Sequence, residues 1–569
     1  MVRLILFVAV LATLLLSHQQ KKTTTRTFAD VVLLNGRIFT GDAQQPFAEA
    51  MAVVKNKIVA VGTISEMKAM IGSKTKQYQL NGKLVIPGFN DAHIHFLSGS
   101  LGLQTVDLNQ SKTVKEAVAT IKAYAQKNTA IKWITGLGWQ YTVFPNGSPT
   151  KEMLDSVVSD RPVYIRAYDG HSAWVNTKAL QLAGITKETE FSGFGAIVKD
   201  VNGQPTGMLK ERAMQLVAKF IPAVTQEEKL AALVQGMKYA ASLGITSVQN
   251  ASGNIEEFEL YKKLLEKNAL TFRYAAAFSA NENTKPEDIQ KYVKIKNQYS
   301  SNLMLKADAV KFMLDGVIES HTAVMMDDYS DVSTDDKIKN GSFAFPLQTY
   351  QSLTTAFDKA GFRMYTHAIG DRSVHEALNA YEMAQKKNQS KNTRHRIEHI
   401  EQCSPADMLR FAKLNVLPSM EPIHADPETI AVWAKAVGEQ RLPFSFAWQS
   451  MLQSKATLVF GSDWPACIDL NPIHGLHIAV NRQTTDGLPI GGWVPQQRIS
   501  IKEALLAYTE AGAYSSFEEG YKGKLKPGFL ADFIVLSQDL FTIPSAVIYQ
   551  TQVLLTVMDG REIYKKEKW

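Results

Sequence analysis

The sequence predicts an α/β protein built on a TIM-type (β/α)8 barrel, joined to a small β unit made from both chain ends and to an inserted α+β segment. Three observations carry this reading. Eight short apolar segments alternate with amphipathic helical stretches: the one ending at His95, then 244–250, 271–278, 309–315, 363–367, 394–399, 416–420 and 457–463. Most of these segments finish on a polar residue, and a barrel of this type keeps its chemistry where its strands run out. Residues 30–84 and 531–564 read differently, as short alternating strands with glycine and asparagine turns. Neither end is long enough to bury a core alone, so the two ends are expected to pair.

In chain order, residues 1–28 are a leader, 29–86 with 500–569 form the β unit, and 87–99 with 225–499 form the barrel. Residues 100–224 are an insertion between the first and second barrel strands, with strand pieces of its own at 133–136 and 163–167. The leader is apolar from Leu4 to Leu16 apart from Thr13, follows Arg3, and runs into polar residues 17–27. That is the core of an export signal, and it is short for a membrane span. The small-residue pattern Thr27-Phe28-Ala29 lies far downstream and the C-terminal flank is the more basic one. Removal of the leader and its retention as a membrane anchor therefore both stand, and the protein is expected to be exported, periplasmic or extracellular. The net charge of +7 is spread thinly, which gives no nucleic-acid stripe. The partner is a small-molecule substrate, and assembly into a homo-oligomer is open.

His93 and His95 stand two apart on the first barrel strand, so both imidazoles emerge on one face at a spacing that can share a metal. With only Cys403 and Cys467 in the chain, a cysteine-rich site is excluded, and a metal must use His, carboxylate or modified Lys. Later strands supply such residues: Lys311 on the fourth, His367 ending the fifth, His399 ending the sixth, and Asp463 ending the eighth. Alternation puts Lys311 on the inward face with Met313 and Asp315, while Val310, Phe312 and Leu314 face the helices. An inward ammonium among histidines and cations is costly, and carboxylation by CO2 to an anionic carbamate removes the conflict. The other reading is a salt bridge from Lys311 to Asp315 or Glu319, which leaves a one-metal site.

The segments Pro87 to His95, Asp169 to Asn176, Gly207 to Glu211, Val310 to Gly316, His395 to His399, Phe460 to Pro465 and Gly523 to Asp532 carry a resemblance that covers nearly everything after the leader. In them the chain resembles the amidohydrolase superfamily, and within it amidohydrolase family 3, the YtcJ-like group that includes N-substituted formamide deformylases. The resemblance implies a distorted barrel and a composite β-sandwich from both chain ends. It also implies a site holding one or two divalent metals, zinc first, with iron, manganese or nickel as alternatives. His93, His95 and Asp463 would hold the more buried metal and His367 and His399 the second, with carboxylated Lys311 bridging if there are two. The implied reaction is hydrolysis of a non-peptide C-N bond, in an amide, formamide or cyclic amide, by a metal-activated hydroxide. Asp463 would be the catalytic proton carrier.

Other readings remain beside it. The same barrel hosts lactonases, esterases and phosphotriesterases, and a retired hydrolase fold can serve as a binding protein. His171 and Asn176, in the insertion, either line the substrate pocket or play a capping, structural role. Glu421 stands where relatives usually have Gln and His321 where many have Arg; both are placed beyond strand ends near the mouth, as substrate-binding positions. His395, four residues before His399, is expected in the core.

Overall fold

The structure is a computed structural model that describes residues 28–168, 172–192, 195–333, 339–467 and 469–567. Of the leader, all but Phe28 lies outside the described residues. Eight parallel strands, β1 (Phe89–Ile94), β2 (Ile245–Gly253), β3 (Arg273–Ser279), β4 (Leu305–Met313), β5 (Arg363–Ala368), β6 (Arg396–His399), β7 (Leu417–Met420) and β8 (Val459–Phe460), pair in chain order into a nearly closed barrel. Helices return the chain between most of them, and several begin on side-chain caps that the sequence supplies, such as Thr225, Asn254 and Ser404. Val310, Phe312 and Leu314 of β4 and its exit join the large core under these helices.

The gap between β8 and β1 is bridged by the backbone. The amides of Ser462 and Asp463 donate to the His93 carbonyl at 3.2 and 2.7 Å. Here the sequence segment 457–463 yields only a two-residue strand. A Cβ on Gly461 would sit 2.5 Å from the His93 backbone nitrogen, so the chain passes β1 too closely to continue the ladder, and only glycine fits.

Inside the barrel, Ala277, Ala309 and Tyr365 form a separate small cluster, and the Arg396 guanidinium lies 3.6 Å over the Tyr365 ring. The helix Glu510–Ser515 plugs the N-terminal end of the barrel. Gln249 donates to the Gly512 carbonyl (2.8 Å) and to the Ser515 hydroxyl (2.9 Å), and Arg363 donates to the Ser515 carbonyl (2.6 Å).

Both chain ends contribute to one six-stranded sheet, in which Phe533–Leu536 pairs antiparallel with Leu84–Pro87, the strand that leads directly into β1. A four-stranded sheet of Val31–Leu34, Ala50–Val54, Lys57–Gly62 and Lys76–Gln79 shares a core with it, through Leu33, Met51, Val85 and Phe533. The residues between β1 and β2 carry a third, six-stranded sheet with apolar clusters of its own. Cys403 and Cys467 are both free thiols.

One buried ionic joint ties the barrel to the terminal sheet. Arg273, at the start of β3, donates to both oxygens of Asp532 (2.7 and 3.0 Å) and to Asp559 (3.0 Å). Removing a partner from a buried pair leaves an uncompensated charge. Asp532→Ala is expected to cost about 3 kcal/mol, read as an earlier first transition in urea unfolding; an unchanged midpoint would show the joint to be idle.

Candidate metal centre

Four imidazoles meet at the C-terminal end of the barrel, and each has one ring nitrogen tied to a protein group. His93 Nδ1 lies 2.6 Å from Glu398 Oε2, and His95 Nδ1 lies 3.0 Å from Ser252 Oγ. His399 Nδ1 is 2.9 Å from Glu421 Oε2, and His367 Nε2 is 3.0 Å from the Gly316 carbonyl. These partners fix which nitrogen remains: Nε2 of His93, His95 and His399, and Nδ1 of His367. The His399 ring is centred 4.8 Å from that of His93 and 4.5 Å from that of His367.

Two other groups reach the same point. Lys311 Nζ stands 3.3 Å from His93 Nε2. Asp463 Oδ1 lies 3.1 Å from His95 Nε2 and 3.4 Å from His93 Nε2, and makes no hydrogen bond, although it is buried. Glu421 Oε1 and His424 Nε2 are likewise buried without a hydrogen-bond partner. Unsatisfied buried polar atoms are rare, and here the donor atoms of His93, His399 and Asp463 lie within 4.8 Å of one another. Lone pairs facing lone pairs in a dry pocket fit a cation, and this mixed nitrogen and oxygen donor set suits a divalent metal.

Burial and charge sort the protonation states. Burial holds His95, His367 and His399 below the ordinary imidazole range, His367 and His399 far below it, so their lone pairs are free. In His93, burial and Lys311 oppose protonation, but Glu398, Asp463 and Glu421 outweigh them and raise it. Burial also lowers the Lys311 ammonium, against the pull of Glu398, Asp463 and Glu421. Asp463 is pushed up by burial yet held well below the carboxylate range by the charge of His93. Glu421 is raised by burial to about 7.

The backbone is strained at this end. His399 has φ +75°, Ile400 +52° and Asp463 +55°, all in the left-handed region that side chains disfavour. Such conformations cost roughly 1–3 kcal/mol each and concentrate at functional sites.

Of the positions singled out in the sequence, the structure brings His93, His95, Lys311, His399 and Asp463 together, with His367 behind His399. Lys311 pairs with neither Asp315 nor Glu319 among the described residues. Asp315 spends its carboxylate on the amides of Val324, Ile369 and Gly370. Glu421 is a correction: it does not lie at the mouth but is fully buried behind His399, because β7 ends at Met420 and the next residue turns into the barrel. Of the two readings of Asn176 the structure shows the capping, structural one: it caps helix Thr177–Leu182 and bonds Val163 N, Val158 O and Arg161 O. His321 sits in the loop after β4 with Nε2 2.9 Å from Asp331, against the Tyr329 ring. His171 lies outside the described residues. His395 is a core residue bonded to Asp358 at 2.9 Å.

Two participants escape the sequence reading. Glu398, next to His399 at the end of β6, anchors His93. His424, on the turn Pro422–Ala425, stacks on His399 (5.5 Å, 8°), with Nε2 3.4 Å from Asp463 Oδ2 and Nδ1 3.3 Å from Glu401. Its only signal is its place four residues after a barrel strand.

Comparison with known proteins agrees with this geometry. The sequence pattern of the Amidohydrolase family matches residues 78–564. The protein LONG AFTER FAR-RED 3 of Arabidopsis thaliana is 31% identical over 549 residues, 94% of this chain and 92% of that protein. The N-substituted formamide deformylase of Arthrobacter pascens is 24% identical and spans 94% of this chain and 98% of its own length. An uncharacterised metal-dependent hydrolase from Pyrococcus furiosus superposes with a TM-score of 0.71 at 25% identity, covering 90% of this chain and all of the other. These define a hydrolase of the metal-dependent amidohydrolase superfamily. The chain belongs to the amidohydrolase family.

Glu398 tests the geometry directly. Glu398→Gln keeps the shape but weakens the hold on His93, and metal affinity measured by chelator competition is expected to fall about 10- to 100-fold. An unchanged affinity would remove Glu398 from the site.

Proposed function

We propose that the protein hydrolyses a non-peptide C-N bond, in an amide, formamide or cyclic amide, of a small organic molecule at a centre of one or two divalent cations. The observation that carries this reading is Asp463 Oδ1, buried and unpartnered between the free nitrogens of His93 and His95. His93, His95 and Asp463 would hold one cation, and His367 and His399 a second; zinc suits the set best. Lys311, its ammonium disfavoured by burial, is placed beside His93 to add CO2 with loss of a proton, and the resulting carbamate would join the two halves.

A divalent cation bound there supplies Lewis acidity, polarising a carbonyl and making water nucleophilic at neutral pH. The chain's own part is proton management and placement. Asp463, held ionised beside the histidines, accepts the proton of the attacking water and returns it to the departing nitrogen. Glu398 and Glu421 keep His93 and His399 oriented with one nitrogen turned to the centre. The similarity to an N-substituted formamide deformylase supports the choice of bond. The apolar leader supports export, tested by fractionating cells that make the full chain.

Metal analysis with intact-mass measurement of a Lys311-containing peptide under CO2 is expected to show two metals and a carboxylated lysine. Lys311→Ala is expected to lose metal and to lower activity by more than about 100-fold; full activity with two metals in this variant would refute the bridge. A substrate panel at fixed metal content tests the bond, and turnover of esters with none of amides or formamides would overturn the C-N assignment.

A further inference from the structure

Two apolar side chains stand open beside His367. Met313 is the last residue of β4, on the inward face two positions above Lys311, and its backbone partner on β5 is His367. It is 48% exposed, although Phe312 and Leu314 on either side are buried. Val317, 40% exposed, follows Gly316, whose carbonyl takes His367 Nε2. Isolated exposed apolar residues are ordinary, but the backbone at both is joined to His367, Met313 as its partner in the ladder and Val317 next to the carbonyl it bonds.

The segment that carries them is built to hold them there. Asp315 is buried and bonds three backbone amides, from Val324, Ile369 and Gly370. Leu314 N donates to the His367 carbonyl at 3.1 Å, and Val317 is knit to Thr322 through its amide (2.9 Å) and its carbonyl (3.0 Å). Gly316 has no room for a side chain, since a Cβ would collide with Thr322 Oγ1. Across the site His424 faces Glu401 at 3.3 Å and Asp463 at 3.4 Å. One wall of the opening is apolar and rigid, and the other is polar.

We infer that the substrate carries an uncharged, apolar substituent on its reacting group, seated on Met313 and Val317 beside His367. This rests on the metal-centre reading above and adds the substrate class to it. Two residues along a strand span roughly 6–7 Å, so the substituent extends about four or five bonds from the carbonyl. A charged substituent is disfavoured there, because Met313 and Val317 offer it no hydrogen-bond partner.

The test is calorimetric titration of the metal-loaded enzyme with straight-chain alkyl hydroxamates from acetyl to octanoyl, whose headgroup chelates the metal whatever bond the enzyme cleaves. In the natural protein Kd is expected to fall roughly threefold per added methylene. In the Met313→Ser, Val317→Ser double variant the gain should drop below about 1.5-fold per methylene, with acetohydroxamate as the internal reference and metal content reporting the fold. Val317→Thr, nearly isosteric, gives a second reading with an intermediate slope. A flat series in the natural protein, a slope that persists in the double variant, or no hydroxamate binding overturns the inference. A normal slope with no amide turnover sinks the C-N assignment alone, and amide turnover with a flat slope sinks the apolar wall alone.

Discussion

The site depends on a charged chain buried in the middle of the barrel. Arg396 spends its guanidinium on Glu398 (2.8 Å), the Gln249 side-chain carbonyl (2.8 Å) and the Ala92 carbonyl (2.7 Å), and Glu398 passes its other oxygen to His93. All of these side chains are essentially inaccessible. A buried ion pair is poor evidence for stability, because desolvation consumes most of the attraction. Here it settles the direction of one imidazole. Gln249 continues the chain downward to Gly512 and Ser515, so the helix that plugs the barrel floor and the histidine at its top are linked through three side chains, Gln249, Arg396 and Glu398.

Barrel closure places the acid. Asp463 belongs to no strand, yet its position is over-determined: its amide bonds His93 O, and Asp91 Oδ1 accepts both His93 N (3.2 Å) and Ser462 N (3.0 Å). The close pass at Gly461 and the left-handed turn at Asp463 follow from the same need, to bring a carboxylate just beyond β8 against the imidazoles of His93 and His95 at the end of β1. His399 is treated alike, with Ile400 N bonding Ala368 O on the neighbouring strand. The strain sits where the donor atoms converge, and the seams between strands hold it.

What the sequence disclosed was whatever depends on period. The alternation of β4 separates Lys311 from Val310 and Phe312, and the two-residue spacing of His93 and His95 puts them on one face. What it concealed lies in irregular backbone. Glu421 and His424 leave β7 on a short helical turn that no alternation describes, and Glu421 meets His399 from 22 residues away across a strand seam. Asn176 was half legible: an asparagine before Thr177 at the head of a helical run is a capping signal, and its three further bonds to residues 158–163 show a purely structural role.

Charge balance explains why the lysine belongs with the rest. Glu398, Glu421 and Asp463 bring three carboxylates into one dry volume, against the cations Arg396 and Lys311. With Lys311 as an ammonium the cluster is one charge short of neutral, and a single divalent ion would leave it one positive. Turning the lysine into an anion shifts the cluster by two charges, which leaves room for a second divalent ion at the same final balance. Burial penalises any net charge in such a volume. On the proposed reading, one-metal and two-metal occupancy would thus be electrostatically equivalent, and the state of Lys311 would separate them.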